Sequence, residues 1–280
     1  MSPKTILAYL NSAKHAKGIL ETAFAVARKF DAHVIGLHVV PLVSVPAIVP
    51  FEVSGEIIEM QRKVLDDEAH RIARVYKDAA TASMLRHEWR EVRASHYDIA
   101  GIVDVHARAA DLVVAGQSDD GSGTYLPTDV TEDLMMDSGR PVLVVPREGS
   151  KAAATGSRIL VAWNESREAA RAVFDAVPFL ETASDVRIVT VNPAHGRRDP
   201  ELPGAEIAAA LSRHGIRVEA AVAVAPGLRV ADELINRATE NACDMVVMGG
   251  YGHSRLGELV FGGATREMLR QCPVPLLISH

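Results

Sequence analysis

The sequence predicts an α/β protein built as two tandem open parallel sheets, five strands each, with helices on both faces. Three observations predict it. The chain is written twice, short Val, Ile and Leu runs alternate with helical patterns in each copy, and a small-residue polar stretch separates the copies. Ile6-Leu7-Ala8-Tyr9-Leu10-Asn11-Ser12 returns in kind as Ile159-Leu160-Val161-Ala162-Trp163-Asn164-Glu165-Ser166. Ala109-Ala110-Asp111-Leu112-Val113-Val114-Ala115-Gly116 returns as Ala242-Cys243-Asp244-Met245-Val246-Val247-Met248-Gly249, and Arg140-Pro141-Val142-Leu143-Val144-Val145 as Cys272-Pro273-Val274-Pro275-Leu276-Leu277-Ile278. The first pair is offset by 153 residues and the second by 133, so the first copy carries about twenty extra residues in its middle. Residues 147–157 have the composition of a linker. Two domains follow, 1–147 and 157–280.

In the first copy the opening run, 6–10, reads as a strand. The piece 41–50 reads as a loop because three prolines interrupt it, and its apolar residues suit a covered surface or an interface. A long amphipathic helix follows at about 56–79, with Asp66-Asp67-Glu68 as its wet face. In the second copy five runs, 159–163, 186–192, 218–224, 245–248 and 275–278, are apolar without alternation, as strands covered on both faces are. Residues 166–180 and 228–241 have the apolar spacing of helices packed on a sheet. Strand–helix alternation implies parallel pairing through right-handed crossovers. The last runs of the two copies, 142–145 and 274–278, are natural edges through which the domains would pair as a pseudo-twofold dimer within one chain, and a homodimer of chains is a further possibility.

Composition narrows the function. With 280 residues, 48% hydrophobic, 24% charged and 5% aromatic, the chain expects packed cores. A formal charge of −6 argues against nucleic acid as a partner. Cys243 and Cys272 lie in apolar runs outside any metal-ligand spacing, which predicts two buried thiols and no metal site. Met1-Ser2-Pro3-Lys4 lacks signal-peptide architecture, and no apolar stretch approaches the roughly 20 residues of a membrane helix, so a cytoplasmic protein with no membrane partner is expected.

One segment is chemically loaded. Val246-Val247-Met248-Gly249-Gly250-Tyr251-Gly252-His253 ends a strand in a glycine-rich loop; nine residues separate Gly252 from Gly262-Gly263-Ala264-Thr265, where a helix begins. Glycines at a strand's carboxyl edge and at a helix amino terminus let an anion approach the backbone, where orphan N–H groups and the helix dipole favour it. The open parallel sheet binds ligands at that same edge.

This pattern, Gly-x-x-Gly, nine residues, Gly and a small residue, then a helix and a Pro-Val-containing last strand, resembles the universal stress protein family, and the tandem layout resembles its two-domain members. The resemblance spans essentially the whole chain. It implies an adenine-nucleotide α-hydrolase-like, Rossmann-like fold and, for the second domain, ATP or another adenine nucleotide as ligand. By position, Gly249, Gly252, His253, Gly262, Gly263, Ala264 and Thr265 would surround ribose and phosphates, Val191 would contact adenine, and Met248 would lead into the loop. Two residues depart from the family pattern. Asn164 stands where a carboxylate is usual, which leaves Mg²⁺ at most a weak role, and Gly263 stands where a hydroxyl is usual, with Thr265 offering one nearby.

The first domain is further from the pattern. Nothing three residues after Gly116 is a glycine, and Asp129, Glu132 and Asp133 stand where the phosphate-binding helix should start. Carboxylates there satisfy the helix dipole and repel phosphate, so this copy reads as a degenerate site. Several residues carry two readings. Asn11 and Asn164 either cap the following helix or, at 164, meet the ligand; His253 either touches phosphate or lies in solvent. Tyr251 and Trp163 read first as packing residues, and His195 and His214 as solvated loop residues. No nucleophile–base, Walker or zinc-protease motif is present, so no catalytic residue is assigned. The expected function is a stress-response sensor or binding module with an unidentified protein partner; the alternatives are a slow Mg²⁺-dependent ATP hydrolase and a ligand-free interaction scaffold.

Overall fold

The computed structural model describes residues 2–43, 55–95, 99–117, 130–147, 155–193, 203–251 and 263–280. The chain divides into two compact units, Pro3–Arg140 and Pro141–His280.

The first unit runs β1 (Thr5–Tyr9), α1 (Ala13–Phe30), β2 (His33–Leu42), α2 (Gly55–Ser83), β3 (His87–Ser95), α3 (Ile99–Ala107), β4 (Leu112–Gly116) and α4 (Val130–Asp137). The strands lie in the order β3-β2-β1-β4, and β1 pairs in parallel with β2 and β4, as β2 does with β3. Ile6, Leu7 and Ala8 of the central β1 are wholly buried, as a strand covered on both faces requires. Helix α1 packs on α2, and α3 on α4. Pro41, expected in a loop, lies inside β2; β1 has ended at Leu37, so only β3 still pairs there. The rest of that proline-rich piece, 44–50, lies outside the described residues. Helix α2 docks through Tyr76, whose ring covers Gly36 so closely that a Cβ there would sit 2.3 Å from it.

Two expectations fail at the start of α1. Its N-cap is Ser12, which makes no side-chain cap bond, while Asn11 Oδ1 is buried with no hydrogen-bond partner among the described residues. The Ala13 N–H donates instead to Glu68 Oε1 at 2.8 Å. The acidic run of α2 is therefore not simply a wet face: Glu68 serves the amino terminus of α1 across the helix pair, and Asp66 pairs with Arg93 at 2.8 Å.

The second unit contains β5 (Val142–Val145), β6 (Arg158–Ala162), α5 (Arg167–Asp175), α6 (Val177–Leu180), β7 (Asp185–Val191), α7 (Ala205–Arg213), β8 (Val218–Ala223), α8 (Val230–Glu240), β9 (Met245–Gly249), α9 (Gly263–Gln271) and β10 (Leu276–Ser279). Its strand order is β5-β10-β9-β6-β7-β8. The second copy's own five strands are all parallel. β5, the last strand of the first copy, extends this sheet by antiparallel pairing with β10, Val144 opposite Leu276 and Val142 opposite Ile278. The last runs of the two copies, expected as pairing edges, thus lie side by side. The single helix expected over 166–180 is two, because Pro178 lacks the N–H an uninterrupted helix would use.

One device recurs in both copies. Asp111 Oδ2 accepts the N–H groups of Lys4 and Thr5 at 2.8 and 2.9 Å. Asp244 Oδ1, 133 residues on, accepts those of Gly156, Ser157 and Arg158 at 3.0, 2.9 and 3.0 Å. Each carboxylate ties the residue before a late strand to the entry of the copy's first strand. Cys243 and Cys272 are both buried free thiols, pushed up to about 11 by desolvation. Among the described residues no helix is long and apolar enough to cross a membrane.

Candidate functional site

In the second unit the chain leaves β6 toward β7 and β8 on one side, then returns to β9 and β10 on the other. The carboxyl ends of β6 and β9 therefore flank a switch in winding direction, where neighbouring connections diverge and leave a crevice. Four expected site residues stand at this edge: Asn164 after β6, Met248 and Gly249 ending β9, and, one strand away, Val191 ending β7.

Gly249 is glycine for a packing reason. A Cβ there would lie 2.4 Å from both Ala169 N and Glu168 C, so the first turn of α5 rests directly on the strand end. That turn is fixed by Ser166, whose Oγ accepts the Ala169 N–H at 3.1 Å. Asn164 supports the cap without being it: its Oδ1 accepts from Ser166 N and Ser166 Oγ at 3.2 and 2.8 Å. Between them Glu165 takes φ 65°, an uncommon left-handed conformation for a non-glycine residue that these bonds hold. Glu168 is buried beneath, paired with Arg167. Burial pushes its carboxyl up, but the Arg167 hydrogen bond, a backbone N–H and the charges of Arg167 and His280 outweigh that and hold it below the usual range. The acid is thus ionised, with Arg167 offsetting its charge.

Beyond Gly249 the loop is clasped from two sides. Gly250 N–H donates to Ser279 O at 2.8 Å, and its carbonyl accepts from His280 Nδ1 at 3.0 Å. Tyr251, at φ 45°, donates its N–H to Thr265 Oγ1 at 3.2 Å. Thr265 is buried in the first turn of α9, so its oxygen closes the loop onto the helix. Gly263 opens that helix, exposed, and no described residue comes within 4 Å of where a Cβ would stand. Ala264 is half-buried beside it, and no acid lies in the first turn. Gly252, His253 and Gly262 lie outside the described residues.

The first copy keeps the frame and changes the chemistry. Thr131 Oγ1 donates to Gly116 O at 2.9 Å, again tying strand end to helix. At Gly116, however, a Cβ would meet only the tip of Ile19 at 3.3 Å. The first turn of α4 carries Glu132 and Asp133; Asp129 lies outside the described residues.

Elsewhere, Val191 is half-buried and Met248 buried. Asn192 holds the turn after β8 by both amide atoms, Oδ1 accepting from Ala225 N at 2.8 Å and Nδ2 donating to Ala225 O at 3.3 Å. Trp163 is half-buried beside Gly204, at the start of α7, and His214 stacks edge-on against Phe174. His195 lies outside the described residues. Among the described residues no group of three or more His, Cys, Asp or Glu side chains is placed to hold a metal ion. Spacing along the chain gave no sign that Gly250 would meet Ser279 and His280, because they come together only through the pairing of β9 with β10.

Comparison with known proteins bears on the same frame. The model of the Universal stress protein family matches residues 3–146 and again 156–280. A curated relative, Universal stress protein Slr1230 of Synechocystis, is 31% identical over 152 residues, covering 52% of this chain. The matched part spans about half of that relative, 49% of its length. Two similar solved structures are a universal stress protein from Archaeoglobus fulgidus, 17% identical over 100% of this chain and 96% of that one with a TM-score of 0.72, and a putative universal stress protein from Pseudomonas aeruginosa, 15% identical over 99% and 93% with a TM-score of 0.60. At those identities the likeness concerns the fold.

Proposed function

The chain belongs to the universal stress protein family as a tandem of two copies, and from that premise we propose that its second copy binds an adenine nucleotide at the crevice between β6 and β9. The observation that carries this reading is the start of α9: an exposed glycine with no described residue near the place of a Cβ, no acid in the first turn, and a loop residue tied to the helix by Thr265. Backbone N–H groups and a helix dipole favour phosphate in such a place.

In this reading Gly249, Gly252, His253, Gly262, Gly263 and Ala264 face ribose and phosphates, Val191 and Met248 the adenine side. Thr265 acts mainly by shaping the loop, since its oxygen already accepts from Tyr251. Asn164 is a poor metal ligand: it is uncharged, and its oxygen serves Ser166 twice. Mg²⁺ therefore has a minor role, and the protein acts as a nucleotide-dependent binding module in stress adaptation, in the cytoplasm, rather than as a hydrolase. The acidic first turn of α4 makes the first copy the weaker site.

Gly263→Asp tests the reading cleanly. A Cβ there meets no described residue, and a carboxylate in a first helical turn favours the helix, so the fold should stand. The same charge faces incoming phosphate. ATP affinity by titration calorimetry should fall at least about tenfold, or roughly 1.4 kcal/mol; a folded variant with unchanged affinity would refute the assignment.

A further inference from the structure

We infer that the carboxyl end of β10 is a working part of this site, with His280 as the positioning residue that holds the glycine loop in its binding shape. The inference rests on the reading that the second copy binds an adenine nucleotide, and adds to it a residue outside the glycine motif.

Sheet pairing between β9 and β10 ends with Ser279 opposite Gly249. Gly250, one residue further, is buried and held at both backbone groups: its N–H by Ser279 O at 2.8 Å, its carbonyl by His280 Nδ1 at 3.0 Å. A carbonyl only accepts, so Nδ1 carries the hydrogen, and the imidazole side chain continues the ladder one bond past its end. Tyr251 then turns through φ 45° and hands its N–H to Thr265 Oγ1. The left-handed residue is thus pinned on its amino-terminal side by β10 and on its own N–H by α9. Such a conformation persists only where its surroundings over-determine it. Without the imidazole, the Gly250 carbonyl loses this partner and Tyr251 loses the constraint on its amino-terminal side; a phosphate would then have to order this part of the loop on binding.

β10 is itself held on its far side. Leu276, Leu277 and Ile278 pair with Val144, Leu143 and Val142 of β5. The strand contributed by the first copy therefore supports the strand whose end grips the second copy's loop.

Full-length His280→Ala and His280→Asn test the inference, with ATP as the probe. Asparagine offers an amide N–H near the place of Nδ1–H; alanine offers none. Alanine should weaken ATP binding about three- to tenfold, the range for one lost hydrogen bond, and asparagine should recover most of it. Amide exchange at Gly250 and Tyr251, measured without nucleotide, should quicken in the alanine variant and slow again in the asparagine one. An alanine variant that binds ATP like the wild type, or an asparagine variant as weak as alanine, overturns the positioning role. If the wild type binds no adenine nucleotide, the functional reading itself falls, and exchange rates unchanged by His280→Ala would separately overturn the clasp.

Discussion

Replacing Gly249 by alanine adds one methyl group where the structure leaves no room for it. The new Cβ would sit 2.4 Å from Ala169 N and Glu168 C and 2.8 Å from Glu168 O. Ordinary carbon contacts begin near 3.5 Å, so α5 and β9 must part by about 1 Å. These are backbone atoms, which cannot rotate aside, and interiors yield little to such strain. Overpacking of this kind costs about 1–3 kcal/mol. Retreat of α5 also stretches the Ser166 cap, now at 3.1 Å, whose loss is worth about 1 kcal/mol. Together about 2–4 kcal/mol should lower the melting temperature of the second unit by roughly 5–15 °C. Gly116→Ala is the internal control. There the nearest atom is the mobile tip of Ile19 at 3.3 Å, so the cost should stay below about 1 kcal/mol. Scanning calorimetry of the two variants beside the wild type decides it. Equal melting for Gly249→Ala and wild type, or a larger loss for Gly116→Ala, would show that close helix approach is not why Gly249 is a glycine.

Asp104, buried on α3 with no hydrogen-bond partner for Oδ1 among the described residues, is pushed up to about 6 by desolvation and by Asp137 and Asp133, against Arg108. Because the folded value is raised above the ordinary 3.8, its penalty grows as pH rises from about 4 to about 6, is full above that, and vanishes below about pH 3. Asp104→Asn should therefore stabilise the first unit at pH 8, by up to about 3 kcal/mol and nearer 1–2 with solvent screening, and by little near pH 3; a gain that is the same at both pH values would contradict this. Asp244→Ala removes the acceptor of three N–H groups and should cost about 2–4 kcal/mol in denaturant unfolding, with Asp244→Asn losing less. Asn164→Asp would leave one oxygen on Ser166 and put a second, anionic one in place of Nδ2. ATP binding should then strengthen with Mg²⁺ and weaken in chelator, and a titration with neither change would leave Asn164 a purely structural residue.

The parts of this fold that were legible in the sequence are those written in local periodicity or repetition. Duplicated apolar runs mark β1 and β6, β4 and β9, and the repeated Asp111 and Asp244 sit at the same place in both copies because each copy needs its first strand tied down. The glycine loop was legible too, as a strand end followed by a glycine-started helix, although Gly249 proves to answer first to α5. What escaped depends on partners distant in sequence. That the last runs of the two copies would pair was legible, but the register of Val142–Val145 against Leu276–Ile278 was not. Asn11 has the chemistry of a cap, but Glu68 from α2 reaches the helix end first. His280 belongs to no motif, and its role shows only when β10 is laid beside β9.

The central claim, an adenine nucleotide held by the second copy, is tested most directly by mass spectrometry of small molecules released from the purified full-length protein. One adenine nucleotide per chain, absent from the Gly263→Asp variant purified in parallel, is the predicted result. Protein that releases none, or a variant that releases as much as the wild type, would contradict it.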